Sequence, residues 1–196
     1  MLLILFSLVW TLPASSSEDA PGRMLGGSVN SPVRIDVFSD FQCSACREFF
    51  LSTIRKVLKE YSSKDKVCVV YHEYPLQYHQ YAREAAQYCE AAWRMGVQKL
   101  LPVMESIYVD QADWVEDGNL EGSVAKALSR EDFSKLKEIM KDPAINEAIE
   151  KEIQFAVKKK IAATPTLIIS YPGKEQRVEG LVTYLVMKQF IDSIIK

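Results

Sequence analysis

Apolar positions change their rhythm several times along this chain, and each change marks an element. After Pro32, the run Val33-Arg34-Ile35-Asp36-Val37-Phe38 reads as a first strand. Phe49, Phe50, Ile54, Val57, Leu58 and Tyr61 then recur at helical spacing, within a helical run from Arg47 to Tyr61. Ser62-Ser63-Lys64-Asp65 is a polar break. Val67-Cys68-Val69-Val70-Tyr71 is β-branched and aromatic, a second strand buried on both faces, and Pro75 ends it. From residue 77 to 159 the spacing is helical throughout. Ala82, Ala85, Ala86, Cys89, Ala92 and Trp93 share one face, and Leu100 to Tyr108 and Gly122 to Leu128 are shorter helices. Ser129 with Asp132 reads as a helix start, and Asp142-Pro143 begins a helix with the stripe Ile145, Ile149, Ile153, Ala156 and Val157. Thr166 to Ser170 is a strand, Tyr171-Pro172-Gly173-Lys174 a turn, and Gln176 to Glu179 the returning strand. Val182, Leu185, Val186, Phe190, Ile191 and Ile194 line a last helix after Gly180. Neither β-rich end has enough strands to stand alone, so the two must meet in one sheet, with the helical block as an insertion packed on it. The fold class is α/β.

Composition narrows the function. The chain has 196 residues, 24 Lys plus Arg and 26 Asp plus Glu, a formal net charge of −2. There is no basic stripe with interleaved aromatics, so nucleic acid is not an expected partner. Hydrophobic content of 48% is that of an ordinary globular protein. Met1 to Leu12 is almost unbroken apolar sequence, shorter than the ~20 residues that span a bilayer, and Ala14, Ser15, Ser16 and Ser17 follow it. Residues 1–17 therefore read as a secretory signal peptide, although no Lys or Arg precedes the apolar run. An uncleaved membrane anchor is the other reading. Export, to a periplasm or another extracytoplasmic space, suits a protein that uses cysteine. Residues 18–29 read as a linker, leaving 30–196 as the folded domain: 30–76 and 160–196, interrupted by a helical insertion at 77–159.

The chemistry lies at Phe41-Gln42-Cys43-Ser44-Ala45-Cys46. A Cys-x-x-Cys pair between a strand and a helix reads as a redox motif. Backbone N–H groups at the helix N-terminus favour thiolate over thiol, and thiolate is both nucleophile and leaving group in disulfide exchange. A zinc site would show a second close pair, whereas Cys68 and Cys89 each stand alone. A purely structural disulfide closing so small a loop would remove little unfolded-state entropy. No metal and no cofactor is expected.

Phe38-Ser39-Asp40-Phe41-Gln42-Cys43-Ser44-Ala45-Cys46, then Tyr71-His72-Glu73-Tyr74-Pro75-Leu76, Ala82-Arg83-Glu84-Ala85-Ala86 and Ala163-Thr164-Pro165-Thr166-Leu167, resemble the DsbA-like branch of the thioredoxin superfamily. The likeness covers about residues 30–196. It implies a thioredoxin-like fold, a central mixed sheet flanked by helices, with an inserted helical domain. It also implies a cis bond at Thr164–Pro165 beside Cys43, where the backbone of Thr164 could pair with a substrate chain like an added strand. Cys43, exposed at the helix start, is the expected nucleophile, and Cys46, one turn in and more buried, the expected resolving thiol. The resemblance further implies protein substrates with cysteine thiols, a membrane-bound quinone-linked thiol oxidase as reoxidising partner, and a monomer. Ser44 and Ala45 place no histidine between the cysteines, so a milder oxidant is expected. Relatives often carry a buried carboxylate six residues before the first cysteine. Here that residue is Val37, with Asp36 on the opposite strand face and Glu48 and Glu73 as substitutes. A chaperone-like module with a vestigial pair, and a glutathione-dependent small-molecule enzyme, are the competing classes.

The remaining candidates are weaker. Cys68 and Cys89 are expected as two separately buried small hydrophobes, with a structural disulfide between them as the alternative. His72 and His79 have no ligand-spaced neighbour and are expected in partly exposed structural roles. Asp110, Asp113, Glu116, Asp117 and Glu121 read as a solvated surface or loop, and Lys158-Lys159-Lys160 as a helix C-terminus.

Overall fold

The architecture comes from a computed structural model that describes residues 21–195. The expected signal peptide, residues 1–17, lies outside them. Five strands form one sheet in the order β1-β3-β2-β4-β5: β1 (Arg23–Gly26), β2 (Val33–Ser39), β3 (Val67–Glu73), β4 (Thr166–Tyr171) and β5 (Lys174–Glu179). Only β2 and β3 run parallel, as a strand–helix–strand crossover requires. The hairpin β4–β5 comes from the far end of the chain and joins through Leu167 opposite Val37 and Ile169 opposite Ile35. The two β-rich ends do meet in one sheet. Two differences from the sequence reading concern its edges. Residues 23–26, read as linker, form the edge strand β1 against β3, with Arg23 opposite Tyr71. The returning strand begins at Lys174, directly after Gly173 turns the chain at φ 71°.

Sheet alternation sorts the core into two faces. Val33, Ile35, Val37, Val67, Val69, Tyr71, Leu167 and Ile169 face the larger core. Against it pack α1 (Ser44–Phe49), a π turn (Phe50–Ile54), α2 (Arg55–Glu60) and α9 (Tyr184–Ile194). The helices α3 (Ala82–Arg94), α4 (Val97–Val109), α5 (Gln111–Asp117), α6 (Leu120–Lys126) and α7 (Arg130–Ile139) extend the same core. On the other face Phe38 and Ile168 meet Phe155 and Ala156 of α8 (Ala144–Lys158). The run expected as one helix from Arg47 to Tyr61 is thus broken by a wide turn. It coincides with Thr53, whose hydroxyl donates to the Val182 carbonyl at 2.8 Å, outside its own helix.

One further expectation changes, at His72, while the lone cysteines stay separately buried and the acidic run stays solvated surface, as expected. Cys68 and Cys89 are free thiols. Cys68 shares the β3 face of Val70 and His72, while Cys89 packs in the larger core with Val69 and Tyr71, so the sheet separates them and the structural disulfide is ruled out. His72 is fully buried rather than partly exposed. Its Nε2 meets Asp36 and its Nδ1 meets Glu152, both at 2.9 Å. Burial alone would lower its pKa, but the hydrogen bonds to Asp36 and Glu152 hold it raised, so the ring is the cation between two carboxylates. The acidic run after Asp110 is not loop. Its carboxylates face solvent, but Gln111 and Trp114 beneath them are buried, and the Trp114 indole donates to the Ile107 carbonyl at 2.7 Å.

Candidate active site

Cys43 is the N-cap of α1, in extended backbone (φ −75°, ψ 119°) that turns from β2 into the helix. Asp40 shapes that turn: its carbonyl accepts from Cys43 N, and its buried carboxylate accepts from Gln42 N and Leu76 N, both at 2.7 Å, and meets His79 Nδ1 at 2.9 Å. The inserted helices hold the loop from the other side. The side-chain amide of Gln111 reaches far enough for its Nε2 to donate to both Phe41 O, at 2.6 Å, and Cys43 O, at 3.1 Å. Arg47 Nε donates to Tyr108 O at 2.9 Å. His79, unlike His72, stays partly exposed, and it braces this loop.

The two sulfurs sit in different surroundings. Cys43 is half-buried, Ser44 beside it is exposed, and Cys46 is fully buried. Cys43 Sγ accepts from Cys46 N at 3.4 Å, as a helix N-cap does. Its thiol lies 3.4 Å from Thr164 O. The Thr164–Pro165 peptide bond is cis, and Gly180 N donates to Pro165 O at 2.8 Å, which ties this corner to the end of β5. A hydrogen bond from the Cys46 thiol, opposed by burial and aided by Thr164 and the amides of Cys46 and Ala45, lowers the Cys43 pKa to about 6. Burial first, then the hydrogen bond and charge of Cys43, push Cys46 well above an ordinary thiol. One sulfur is therefore an accessible thiolate and its neighbour a sequestered thiol. That asymmetry is what attack at one sulfur and release of the other requires.

A match to the thioredoxin description runs over residues 19–193, nearly the whole chain. The chain belongs to the thioredoxin family. It is 25% identical over 187 residues to disulfide bond formation protein D of Bacillus subtilis, covering 93% of this chain and 81% of that protein. DsbA2 of Pseudomonas aeruginosa matches with a TM-score of 0.69 at 25% identity, over 94% of this chain and 96% of that one. Alpha-DsbA1 of Wolbachia pipientis shares the fold at a TM-score of 0.72 and 17% identity, over 96% and 94% of the two chains. This is a DsbA-like member of the superfamily, a thiol:disulfide oxidoreductase, with the helical insertion of that branch.

Several residues around the pair escaped the sequence reading. Gln111, Arg47, Ser39, Tyr71 and Tyr108 all touch or support the site from separate elements. Glu48 is exposed on the outer side of α1, so it cannot stand in for the missing carboxylate. Glu73 is fully buried at the end of β3, on the face of Tyr71. Among the described residues no group of His, Cys, Asp and Glu is placed to hold a metal ion, and no helix is long and apolar enough to cross a membrane.

Proposed function

We propose that this protein is an exported enzyme that forms or exchanges disulfide bonds in protein substrates through the Cys43–Cys46 pair. The asymmetry of the two thiols supports this reading above all: Cys43 held at a pKa of about 6 and half-exposed, Cys46 buried and raised. In the oxidising direction a substrate thiolate attacks Cys43 Sγ, the Cys43–Cys46 bond breaks, and its electron pair passes to Cys46. A second substrate thiolate then attacks the substrate sulfur of the mixed disulfide and releases Cys43 as its stable thiolate, leaving an oxidised substrate and a reduced pair. Thr164 and Pro165 flank Cys43, where an extended substrate backbone would lie against Thr164 as an added strand. Ser44 and Ala45 contribute backbone only, without a cation, which suits an oxidant of moderate strength. A membrane-bound, quinone-linked thiol oxidase would restore the disulfide.

The test is trapping in cells. A Cys46→Ala variant accumulates mixed disulfides through Cys43, and the captured chains identify substrates and direction. A Cys43→Ser variant loses protein-thiol oxidation altogether. Unimpaired oxidation by Cys43→Ser would refute the proposal and leave a chaperone-like or glutathione-dependent role.

A further inference from the structure

The redox loop has an anchor besides its own helix, and it comes from the insertion. Phe41 is buried, and its carbonyl lies ahead of the helical ladder, which starts with Cys43 O accepting from Arg47 N at 3.1 Å. A buried carbonyl without a donor is costly, so the chain would turn until it found one. Gln111 supplies that donor. Its side-chain amide carries two N–H groups, and Nε2 donates to Phe41 O at 2.6 Å and to Cys43 O at 3.1 Å. The residue between these carbonyls, Gln42, is held from the same side, since its Oε1 accepts from Tyr81 N at 2.8 Å.

A rigid element delivers the amide. Gln111 is buried and opens α5, and Trp114 lies one turn on along the same face. The buried Trp114 ring is fixed through its indole N–H on Ile107 O and stands edge-on to Tyr81, with ring centroids 6.5 Å apart. In the other direction, Arg47 Nε of α1 donates to Tyr108 O at the end of α4. Hydrogen bonds thus cross both ways between the redox loop and the α4–α5 corner.

This anchor controls where the sulfur sits. Holding Phe41 O and Cys43 O fixes the peptide planes before Gln42 and after Cys43, and with them the extended backbone of Cys43. That backbone places Sγ 3.4 Å from Cys46 N and 3.4 Å from Thr164 O. Those contacts, with the Cys46 thiol and the Ala45 amide, favour the thiolate. Displacing a reacting group by about 1 Å is enough to cost an enzyme much of its rate.

We propose that Gln111 is a positioning residue of the redox site, through which the helical insertion holds Cys43 Sγ against its hydrogen-bond donors. This deepens the oxidoreductase reading above and rests on it. Gln111 acts through the loop backbone. Ser44 and Ala45 bring no charge between the cysteines, so the nucleophile depends on backbone placement, and a side chain 68 residues away maintains it.

Two variants test the role. Gln111→Met keeps the side-chain length and removes both donors, and Gln111→Glu keeps the shape but puts an oxygen where the donor nitrogen stood. In the reduced proteins, thiolate absorbance across pH should place the Cys43 titration at about 7 in each, against about 6 in the parent. Alkylation at pH 6 should slow about fivefold. At equilibrium with glutathione, two electrons pass from the pair to oxidised glutathione, which leaves as two thiols. At pH 7 that balance should move about fivefold toward the Cys43–Cys46 disulfide, because the reduced form has lost part of its thiolate stabilisation.

A merely structural role would lower stability and leave the titration unmoved. Leu136→Val marks that outcome, because it thins the core at α7, which packs on α3 and α6. Gln111 variants that behave like Leu136→Val, or that match the parent throughout, would overturn the proposal. Should neither Gln111 variant fold, the parent protein decides. Its Gln111 side-chain protons should exchange slowly with solvent, and their magnetic resonance shifts should follow the Cys43 titration; fast exchange with flat shifts would refute the anchor. These readouts need no protein substrate. A pair that shows every shift yet oxidises no protein thiol refutes the proposed function and leaves the positioning role standing.

Discussion

The Cys46 thiol is the largest single influence holding Cys43 as a thiolate, ahead of Thr164 and the two helix amides. Removing it with Cys46→Ala leaves Thr164 and the backbone amides of residues 45 and 46 in place. A hydrogen bond to a charged group is worth about 1.5–3 kcal/mol. Cys43 is only half-buried, so solvent screens part of this and the lower end applies, about one pKa unit. The variant should therefore titrate near 7, against about 6 in the parent. At pH 6 the thiolate fraction would fall from about a half to about a tenth, and at pH 9 both proteins would be almost fully ionised. Ultraviolet thiolate absorbance across pH gives the titration directly. Alkylation rates at the two pH values give an independent ratio, roughly fivefold at pH 6 and near unity at pH 9. Linkage fixes the companion sign. A depressed folded pKa stabilises the reduced form fully above the ordinary thiol value of 9.0, and this contribution fades as pH falls through about 6. A parent Cys43 that titrates like a free thiol, or a variant that titrates lower than its parent, would refute the reasoning.

Other consequences follow from the same contacts. Gln111→Ala strips the donor from the carbonyls of Phe41 and Cys43 and should cost about 1–3 kcal/mol, read from urea unfolding; an unshifted midpoint would show that water replaces the amide. His72→Leu leaves Asp36 and Glu152 facing one another without their shared cation and should destabilise by about 3–5 kcal/mol. Because the folded pKa of His72 is raised, its contribution is full below the unfolded value of 6.5, so the gap between parent and variant should narrow as pH rises through the folded value. Glu73 is also raised, which means the folded protein holds a proton that the unfolded chain gives up above 4.5. Stability of the parent therefore falls as pH climbs past that point, and Glu73→Gln should flatten the fall; parallel pH curves would contradict the buried acid. Brief alkylation of the native reduced protein should modify Cys43 and spare Cys68 and Cys89, whose thiols are buried and raised, as peptide mapping would show.

What the sequence by itself determined is local. The apolar rhythm located β2, β3, β4 and the flanking helices, because strand and helix periods are written in neighbouring residues. The cysteine pair was legible for the same reason, its spacing and helix start lying within one turn. The need for the chain's two ends to share a sheet also followed, since neither could bury a face alone. Tertiary structure decided everything that depends on which faces meet. Arg23–Gly26 is too short to announce an edge strand, and became one only by pairing with β3. His72 reads as an isolated histidine until β2 and α8 bring Asp36 and Glu152 to its two nitrogens. Cys68 and Cys89 look pairable until a sheet lies between them. Gln111 sits in an acidic stretch with no motif, yet it reaches back 68 residues to Cys43 O because α5 packs against the redox loop. Ser39, Tyr71 and Tyr108 are common residues on three elements, and only the packing of an inserted helix over the sheet joins their hydroxyls in one buried cluster. A thiol's position along the chain can be read from spacing, but its proton affinity is set by burial and by partners that arrive from elsewhere in the fold.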